Sequence, residues 1–136
     1  MLIIQTDAAF EPRTKLASYA FVVKDFSTKK ELVAKAEPIT ALDNHEAEFI
    51  ALTKALEYLI EANLQDNILD ILTDSKGLAL SLQKNYSKAY PARIAEIMQL
   101  LEQFNLYYTK LISDKENKHA HRLAISALHE KRGGLE

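Results

Sequence analysis

Met1-Leu2-Ile3-Ile4-Gln5-Thr6-Asp7 is an apolar stretch that predicts a buried β-strand ending in an acidic side chain. Two more strands are predicted over Leu16–Asp25 and Glu31–Ala36, joined to their neighbours by short turns, and Pro38 is expected to end the third. Because connections this short join antiparallel neighbours, the first third of the chain predicts an antiparallel meander.

Helices alternate with strands in the rest of the chain. Asp43 is a predicted helix cap, since Glu46 follows at the spacing of a capping box and apolar residues then recur at helical spacing. Further predicted elements are a strand over 68–73, helices over 75–84, 91–104 and 117–131, and a strand over 106–112. The order β-β-β-α-β-α-α-β-α predicts an α/β fold: a five-stranded mixed sheet, with three antiparallel leading strands and then parallel strands, flanked by helices.

Composition limits the possible classes of protein. With 136 residues and about half of them apolar, the chain fits one domain, which we expect over residues 1–132. Residues 133–136 are expected to be a flexible end, and Leu-Glu there is typical of a tag remnant. The absence of cysteine excludes disulfides and thiolate metal sites. No apolar run approaches the roughly 20 residues of a membrane span, and no basic segment precedes the first apolar run. We therefore expect a cytoplasmic protein that does not act at a membrane. No obligate protein partner is inferred.

Three acidic residues stand where apolar residues would be expected. Asp7 and Asp74 each follow an apolar strand, and Glu48 lies about one turn inside a predicted helix. Taken singly, each has a structural interpretation, as a helix cap or as a charge that interacts with the helix dipole. Gathered together they would repel one another, and Mg²⁺ or Mn²⁺ would offset that repulsion. Two such ions roughly 4 Å apart can promote phosphodiester hydrolysis.

Four short segments carry a resemblance to a known family. They are Ile4-Gln5-Thr6-Asp7-Ala8-Ala9, Asn44-His45-Glu46-Ala47-Glu48-Phe49-Ile50-Ala51-Leu52, Leu72-Thr73-Asp74-Ser75-Lys76 and Asn117-Lys118-His119-Ala120-His121-Arg122-Leu123-Ala124. In this order, and on these predicted elements, they resemble the type 1 ribonuclease H family over nearly the whole chain. The resemblance implies a ribonuclease H-like fold and a metal-dependent endonuclease that hydrolyses the RNA strand of RNA–DNA hybrids.

The resemblance also assigns individual residues. Asp7, Glu48 and Asp74 match the family's first three metal-binding carboxylates, which implies two Mg²⁺ or Mn²⁺ ions in the presence of substrate. Asn44 matches a position that contacts the RNA strand in the minor groove, where the 2′-hydroxyl distinguishes RNA from DNA. Also expected among the substrate-binding residues are His45, which replaces a common second Asn, and Ser75.

His121 stands where the family usually has its fourth Asp. Two interpretations remain open: His121 is a metal ligand and catalytic residue, or it is a structural or solvated side chain. Imidazole suits transition metals better than Mg²⁺. The first interpretation therefore predicts weaker use of Mg²⁺ and relatively better activity with Mn²⁺.

Other departures keep alternatives open. Asp114, Glu116 and His119 follow the fifth predicted strand and could assist proton transfer or supply the missing ligand, or they could belong to a solvated loop of mixed charge. No glycine precedes Gly77, although the family has a glycine-rich turn after its first Asp.

The charge of the chain bears on the choice of function. The formal net charge is −2, so binding of a nucleic acid would depend on a local basic patch or on bound metal. Beside the hybrid nuclease, we weigh a weakly active or inactive nucleic-acid-binding protein of the same fold, and a different nuclease such as an exonuclease or a resolvase-like enzyme.

Overall fold

The computed structural model describes residues 1–133, and its side chains through residue 130. The strands are β1 (Leu2–Glu11), β2 (Leu16–Asp25), β3 (Glu31–Thr40), β4 (Ile68–Thr73) and β5 (Leu106–Leu111). The helices are α1 (Asn44–Glu61), α2 (Lys76–Lys84), α3 (Pro91–Leu101) and α4 (Lys118–Gly133), and a 3₁₀ turn over Asp114–Asn117 precedes α4. The predicted order of strands and long helices is confirmed, while residues 134–136 of the predicted flexible end lie outside the described residues. Within residues 1–133, no helix is both long and apolar enough to cross a membrane.

The five strands form one sheet in the order β3-β2-β1-β4-β5. β1 pairs antiparallel with β2, and β2 with β3, whereas β1 with β4 and β4 with β5 are parallel pairs. The predicted mixed sheet is therefore confirmed. The parallel pairs follow from the helices between these strands, because a parallel neighbour can be reached only by a crossover.

Two strands run further than predicted. β3 continues through Pro38 to Thr40, so the prediction that Pro38 ends the strand is wrong. β3 is an edge strand, where the missing N–H of proline need not break a hydrogen bond of the sheet. β1 also continues past Asp7 to Glu11, because it stays paired with β2 along its whole length. α3, in contrast, ends three residues earlier than predicted, at Leu101.

α1 packs against one face of the sheet. Its capping prediction is confirmed in a shifted form: the Asp43 side chain accepts from the Glu46 N–H, and Glu46 accepts from the Leu42 N–H. Fully buried alanines on one stripe of α1 allow close packing, and the helix covers apolar side chains of β1 and β2. The buried set on this side includes Ile4, Phe21, Leu52, Leu56, Leu69 and Ile71.

α4 covers the opposite face of β1, β2 and β3. Ala124 and Leu128 pack with Ala9 and Ala20 of the sheet, and the buried Ser18 hydroxyl donates to the main-chain oxygen of Ala124. The sheet is thus covered from both sides where β1 lies. Side chains from α1 and α4, on opposite faces of the sheet, can therefore meet only past Thr6 and Thr73, where the pairing between β1 and β4 ends.

Candidate metal centre

Asp7 lies at that point of separation. The last pair between β1 and β4 joins Thr6 to Thr73, so Asp7 is the first residue of β1 that β4 no longer accompanies. Its side chain is buried, its Oδ1 accepts from the Ala8 N–H at 2.9 Å, and its Oδ2 lies 2.9 Å from Nδ1 of His121. The carboxylate is therefore held in place before any ligand binds.

Glu48 reaches the same point from α1. Ala47, directly before it, is fully buried and packs with Ala8 of β1, which brings the first turns of the helix against the strand. The Glu48 side chain is buried as well, with 5% of the residue exposed. A carboxyl group so deep in a domain of this size needs a partner, because burial of an unpaired charge is costly.

Asp74 follows the end of β4 and is half-buried. The hydroxyl of Ser75 caps α2 by accepting from the Leu78 N–H, and Thr73 Oγ1 accepts from the Ser75 N–H. Since Ser75 performs the capping, the Asp74 carboxylate is left to face Asp7 and Glu48.

The three carboxylates converge. Asp7, Glu48 and Asp74 each offer an oxygen atom, and these atoms all lie within 4.8 Å of one another. They line a cleft of about 310 Å³ whose other lining residues are Ala8, Asn44, Ser75, Asp114 and His121. The chain therefore brings together three like-charged groups that are far apart in sequence.

Burial and mutual repulsion govern the protonation of this cluster. Burial, and then the charges of Asp7 and Asp74, raise the pKa of Glu48 to about 9. Burial likewise raises the pKa of Asp7, although the Ala8 N–H and His121 oppose the shift. The pKa of Asp74 is raised by burial and by the charge of Asp7. Without a cation, the folded protein therefore favours the protonated form of Glu48 at neutral pH.

The donor set fits a divalent metal. Glu48 Oε2 is buried and has no hydrogen-bond partner among the described residues. Three carboxylates offer the oxygen ligands that hard divalent cations prefer, and such a cation would offset the repulsion and satisfy the unpaired oxygen. Asp7, Glu48 and Asp74 are the residues that could hold it.

His121 adds a nitrogen ligand candidate to this set. Its imidazole extends from α4 to Asp7, and its side chain remains 58% exposed while that of Asp7 is 5% exposed. An exposed ring at the mouth of a cleft can turn toward a metal or stay on Asp7. The structure thus places His121 beside the three carboxylates.

The remaining candidates divide into two groups. Asn44, Ser75 and Asp114 line the cleft, and the charge of Asp114 contributes to the raised pKa of Asp74. His45 lies outside the cleft lining: its ring contacts Phe49 and Tyr90 edge-on, at centroid distances of 4.8 and 5.5 Å. Its location indicates packing between α1 and the start of α3 instead of an open substrate-facing side chain.

The other residues after β5 also face away from the cleft. His119 Nε2 lies 2.8 Å from Glu31 Oε1 on β3, and Glu116 forms a capping box with Ser113. Of the residues considered in this loop, Asp114 alone lines the cleft. Arg93, near the start of α3, pairs with Glu46 at 3.1 Å.

Sequence reasoning missed the part played by Asn117. This residue belongs to the fourth resembling segment and is fully buried, with its amide donating to the main-chain oxygen of Thr6 at 2.8 Å. The sequence signal for its burial was weak: Asn117 is an amide side chain directly before a helix whose apolar face is buried. Its burial depends on packing between the 3₁₀ turn and β1.

Comparisons with known proteins identify the family of the chain. The sequence profile of a family described as reverse transcriptase-like matches residues 5–127. Over 132 residues the chain is 34% identical to the Enterococcus faecalis (strain ATCC 700802 / V583) protein named "Putative hydrolase EbsB", and the match covers 94% of each chain.

Solved structures show the same fold. The N-terminal ribonuclease H domain of a Mycobacterium tuberculosis protein, solved as a maltose-binding-protein fusion, superposes with a TM-score of 0.88 at 20% identity, covering 99% of this chain and 98% of that one. LC11-RNase H1 in complex with an RNA/DNA hybrid gives a TM-score of 0.86 at 23% identity, covering 96% and 99%. RNase H1 from Halobacterium salinarum NRC-1 gives 0.84 at 20% identity, covering 95% and 98%.

Proposed function

The chain belongs to the reverse transcriptase-like family and has the ribonuclease H fold, and from this premise we propose that it is a metal-dependent endonuclease that hydrolyses the RNA strand of RNA–DNA hybrids. The resemblance stated from the sequence is thereby confirmed for the family and the fold. The relative named as a hydrolase supports the broader reaction class. The substrate and the site residues are the steps that we add.

The observation that carries the proposal is the convergence of Asp7, Glu48 and Asp74, with ligand atoms within 4.8 Å of one another. Structural carboxylates are normally paired with a lysine, an arginine or a backbone N–H. Here Glu48 Oε2 has no partner among the described residues, and burial, followed by repulsion within the cluster, raises the pKa of Glu48. These properties are expected of a site that is completed by cations.

We assign the holding of the ions to Asp7, Glu48 and Asp74, with His121 as an additional ligand. When bound, a pair of divalent ions supplies an activated water and stabilises the departing 3′ oxygen in phosphodiester hydrolysis. The protein positions its carboxylates through β1, α1 and the end of β4, so that little rearrangement is needed. Asp114 lines the same cleft, where its carboxylate can accept a proton from the attacking water, or its protonated form can donate one to the departing 3′ oxygen.

The identity of His121 leads us to propose Mn²⁺ as the relatively favoured ion. A neutral imidazole binds transition metals better than Mg²⁺, and replacing a fourth carboxylate by His removes one negative charge. His121 already lies 2.9 Å from Asp7 Oδ2, so a small rotation would suffice to bring its nitrogen to a metal held by Asp7.

The choice of hybrid as substrate rests on the cleft and on similarity. Asn44, at the start of α1, lines the cleft next to Glu48, where it can contact a 2′-hydroxyl in a minor groove. A structure of the same fold, LC11-RNase H1, is a complex with an RNA/DNA hybrid. We therefore propose Asn44 and Ser75 as substrate contacts and assign His45 to supporting Asn44 by packing.

A cleavage assay on hybrid, double-stranded RNA and double-stranded DNA tests the proposal, with Mg²⁺ and Mn²⁺ supplied separately. We expect cutting of the RNA strand in the hybrid alone. Asp74→Asn should lower the rate by more than about 100-fold, because loss of even an outer-shell partner of a metal site costs 10- to 100-fold. Asp70→Asn is the matched control, on β4 just before Asp74 and outside the cleft, and should keep its activity. Equal loss in both variants would contradict the assignment.

A second candidate is a protein that binds hybrids without cutting them. The observation that favours it is the hydrogen bond from His121 to Asp7 Oδ2, which occupies a ligand atom of the cluster. Tight binding of hybrid with no cleavage in either ion, measured on the same preparations, would favour this candidate.

A further inference from the structure

Asn117 is a fully buried polar residue beside the carboxylate cluster, although it does not line the cleft. It is the last residue of the 3₁₀ turn, directly before α4, and is thus joined to Asp114 on one side and to His121 on the other. An asparagine in such a position must satisfy two donors and an acceptor inside the protein. The partners it uses therefore show which segments it connects.

The side-chain amide of Asn117 interacts with the segments that carry two of the carboxylates. Nδ2 donates to the main-chain oxygen of Thr6 at 2.8 Å, in the residue directly before Asp7. The same amide lies near the Asp74 carboxylate, where it favours the charged form and so lowers the pKa of Asp74 against the larger effect of burial. Its Oδ1 lies 3.4 Å from Gln5 Nε2, and Gln5 also donates to the main-chain oxygen of Glu116. One side chain thus ties β1, the end of β4 and the start of α4 together.

Asn117 links the ends of β1 and β4 at a point where the two strands are no longer paired in the sheet. Pairing between β1 and β4 stops at Thr6 and Thr73, so no hydrogen bond of the sheet fixes Asp7 relative to Asp74. The repulsion between the two carboxylates would push them apart in the absence of a cation. The hydrogen bond from Asn117 to Thr6 and its interaction with the Asp74 carboxylate link the two strand ends and oppose that separation.

We propose that Asn117 is a positioning residue that fixes the spacing of Asp7 and Asp74 and thereby sets the affinity of the site for divalent metal. The inference rests on the proposed function in one respect, that these carboxylates are metal ligands. Outer-shell hydrogen bonds of this type orient ligands, and their removal typically lowers metal affinity by 10- to 100-fold.

Calorimetric titration of the nucleic-acid-free protein with MnCl₂ tests the inference. Asn117→Ala should bind Mn²⁺ about 10- to 100-fold more weakly than the wild type. Ser18→Ala is the matched control, because it also removes a buried hydrogen bond, between β2 and α4, at a position outside the cleft. It should lower thermal stability while leaving the Mn²⁺ affinity within about twofold of the wild type.

The outcomes separate the two proposals. If the wild type does not bind Mn²⁺, the proposed metal site fails and the role of Asn117 fails with it. If the wild type binds and folded Asn117→Ala binds equally well, or if Ser18→Ala weakens binding as much, the positioning role alone is overturned.

A second measurement applies if Asn117→Ala does not fold. In the wild type, the side-chain amide signals of Asn117 can be followed by ¹⁵N NMR during a Mg²⁺ titration. We expect them to shift with the same midpoint as the backbone signals of Asp7 and Asp74. Signals that stay fixed while those two residues respond would contradict the inference.

Discussion

The apolar core beneath α1 and the carboxylate cluster at the start of the same helix are built from the same elements, yet burial acts on them in opposite directions. In the core, side chains such as Leu52, Leu56 and Leu69 are fully buried and stabilise the fold by about 25 cal/mol per Å² of apolar surface removed from water. In the cluster, burial of Glu48 disfavours its charged form and raises its pKa. About one turn of one helix, from Glu48 to Leu52, thus separates a region that stabilises the protein from one that destabilises it without metal.

This difference teaches how the fold supports the site. The sheet and α1 can hold repelling carboxylates close together only because the apolar region next to them supplies enough stability. If that is correct, substitutions in the core should lower stability and leave metal binding intact, whereas substitutions in the cluster should weaken metal binding without lowering the stability of the metal-free protein.

The largest effect is expected for Leu56→Ala in the core. Leu56 is fully buried, and a cavity of this type lowers the free energy of unfolding by about 2–5 kcal/mol. Urea unfolding measures this loss, and calorimetry at a temperature where the variant is folded should give an unchanged Mn²⁺ affinity. A loss of metal affinity in the folded variant would show that the two regions are not separable.

Glu48→Gln should raise the free energy of unfolding of the metal-free protein, whereas Leu56→Ala lowers it. The pKa of Glu48 is about 9 in the fold against an ordinary value of 4.5, so the folded state retains a proton that the unfolded state releases. The stability that this group contributes is therefore full below about pH 4.5 and is lost as pH rises toward 9. Glutamine does not ionise, so at pH 8 the variant should be more stable than the wild type by about 1–3 kcal/mol, the scale of an unpaired buried polar group.

Urea unfolding in EDTA at pH 5 and pH 8 measures this effect. The wild type should lose more stability between the two values than Glu48→Gln. Added Mn²⁺ should stabilise the wild type and leave the variant nearly unchanged. Equal pH dependence in both proteins would contradict the electrostatic description of the cluster.

His121→Asp alters the cluster without touching the core. A fourth carboxylate favours hard ions, so the ratio of hybrid cleavage rates in Mg²⁺ and Mn²⁺ should shift toward Mg²⁺ by about tenfold, or 1.4 kcal/mol. His119→Asn is the matched control on the same helix, since His119 pairs with Glu31 instead. An unchanged ratio in His121→Asp would remove His121 from the ligand set.

The sequence predicted the elements whose signals are local. The bounds of β2 and the Asp43 cap of α1 follow from alternation and capping residues, and both are found in the structure. The end of β3 at Pro38 was predicted wrongly because the tolerance of proline depends on the strand's position at the edge of the sheet. That position is set by distant pairing, which no local pattern contains.

The candidate site divides in the same way. Asp7, Glu48 and Asp74 could be named from the sequence because each is acidic at an apolar position, and the structure brings them together. The burial of Asn117 and the packing of His45 could not be predicted, since both depend on contacts between segments far apart in the chain. The substrate contact that the resemblance implies for His45 stays a prediction, and the structure adds that its ring packs against Phe49 and Tyr90.

The smallest effect is expected where the core and the site meet, at Gly77 in the first turn of α2. Replacing a helical glycine by alanine normally stabilises a protein by about 1 kcal/mol. A Cβ atom on Gly77 would lie 2.7 Å from Cε1 of His45, whose ring is held against Phe49 and Tyr90 and cannot easily move. Gly77→Ala should therefore leave the free energy of unfolding unchanged or lower it by up to about 1 kcal/mol. The same substitution in a His45→Ala background should stabilise by about 1 kcal/mol, so a double-mutant cycle isolates the contact. Equal stabilisation in both backgrounds would mean that the His45 ring moves aside at little cost, which would contradict the rigid packing of His45 against Phe49 and Tyr90.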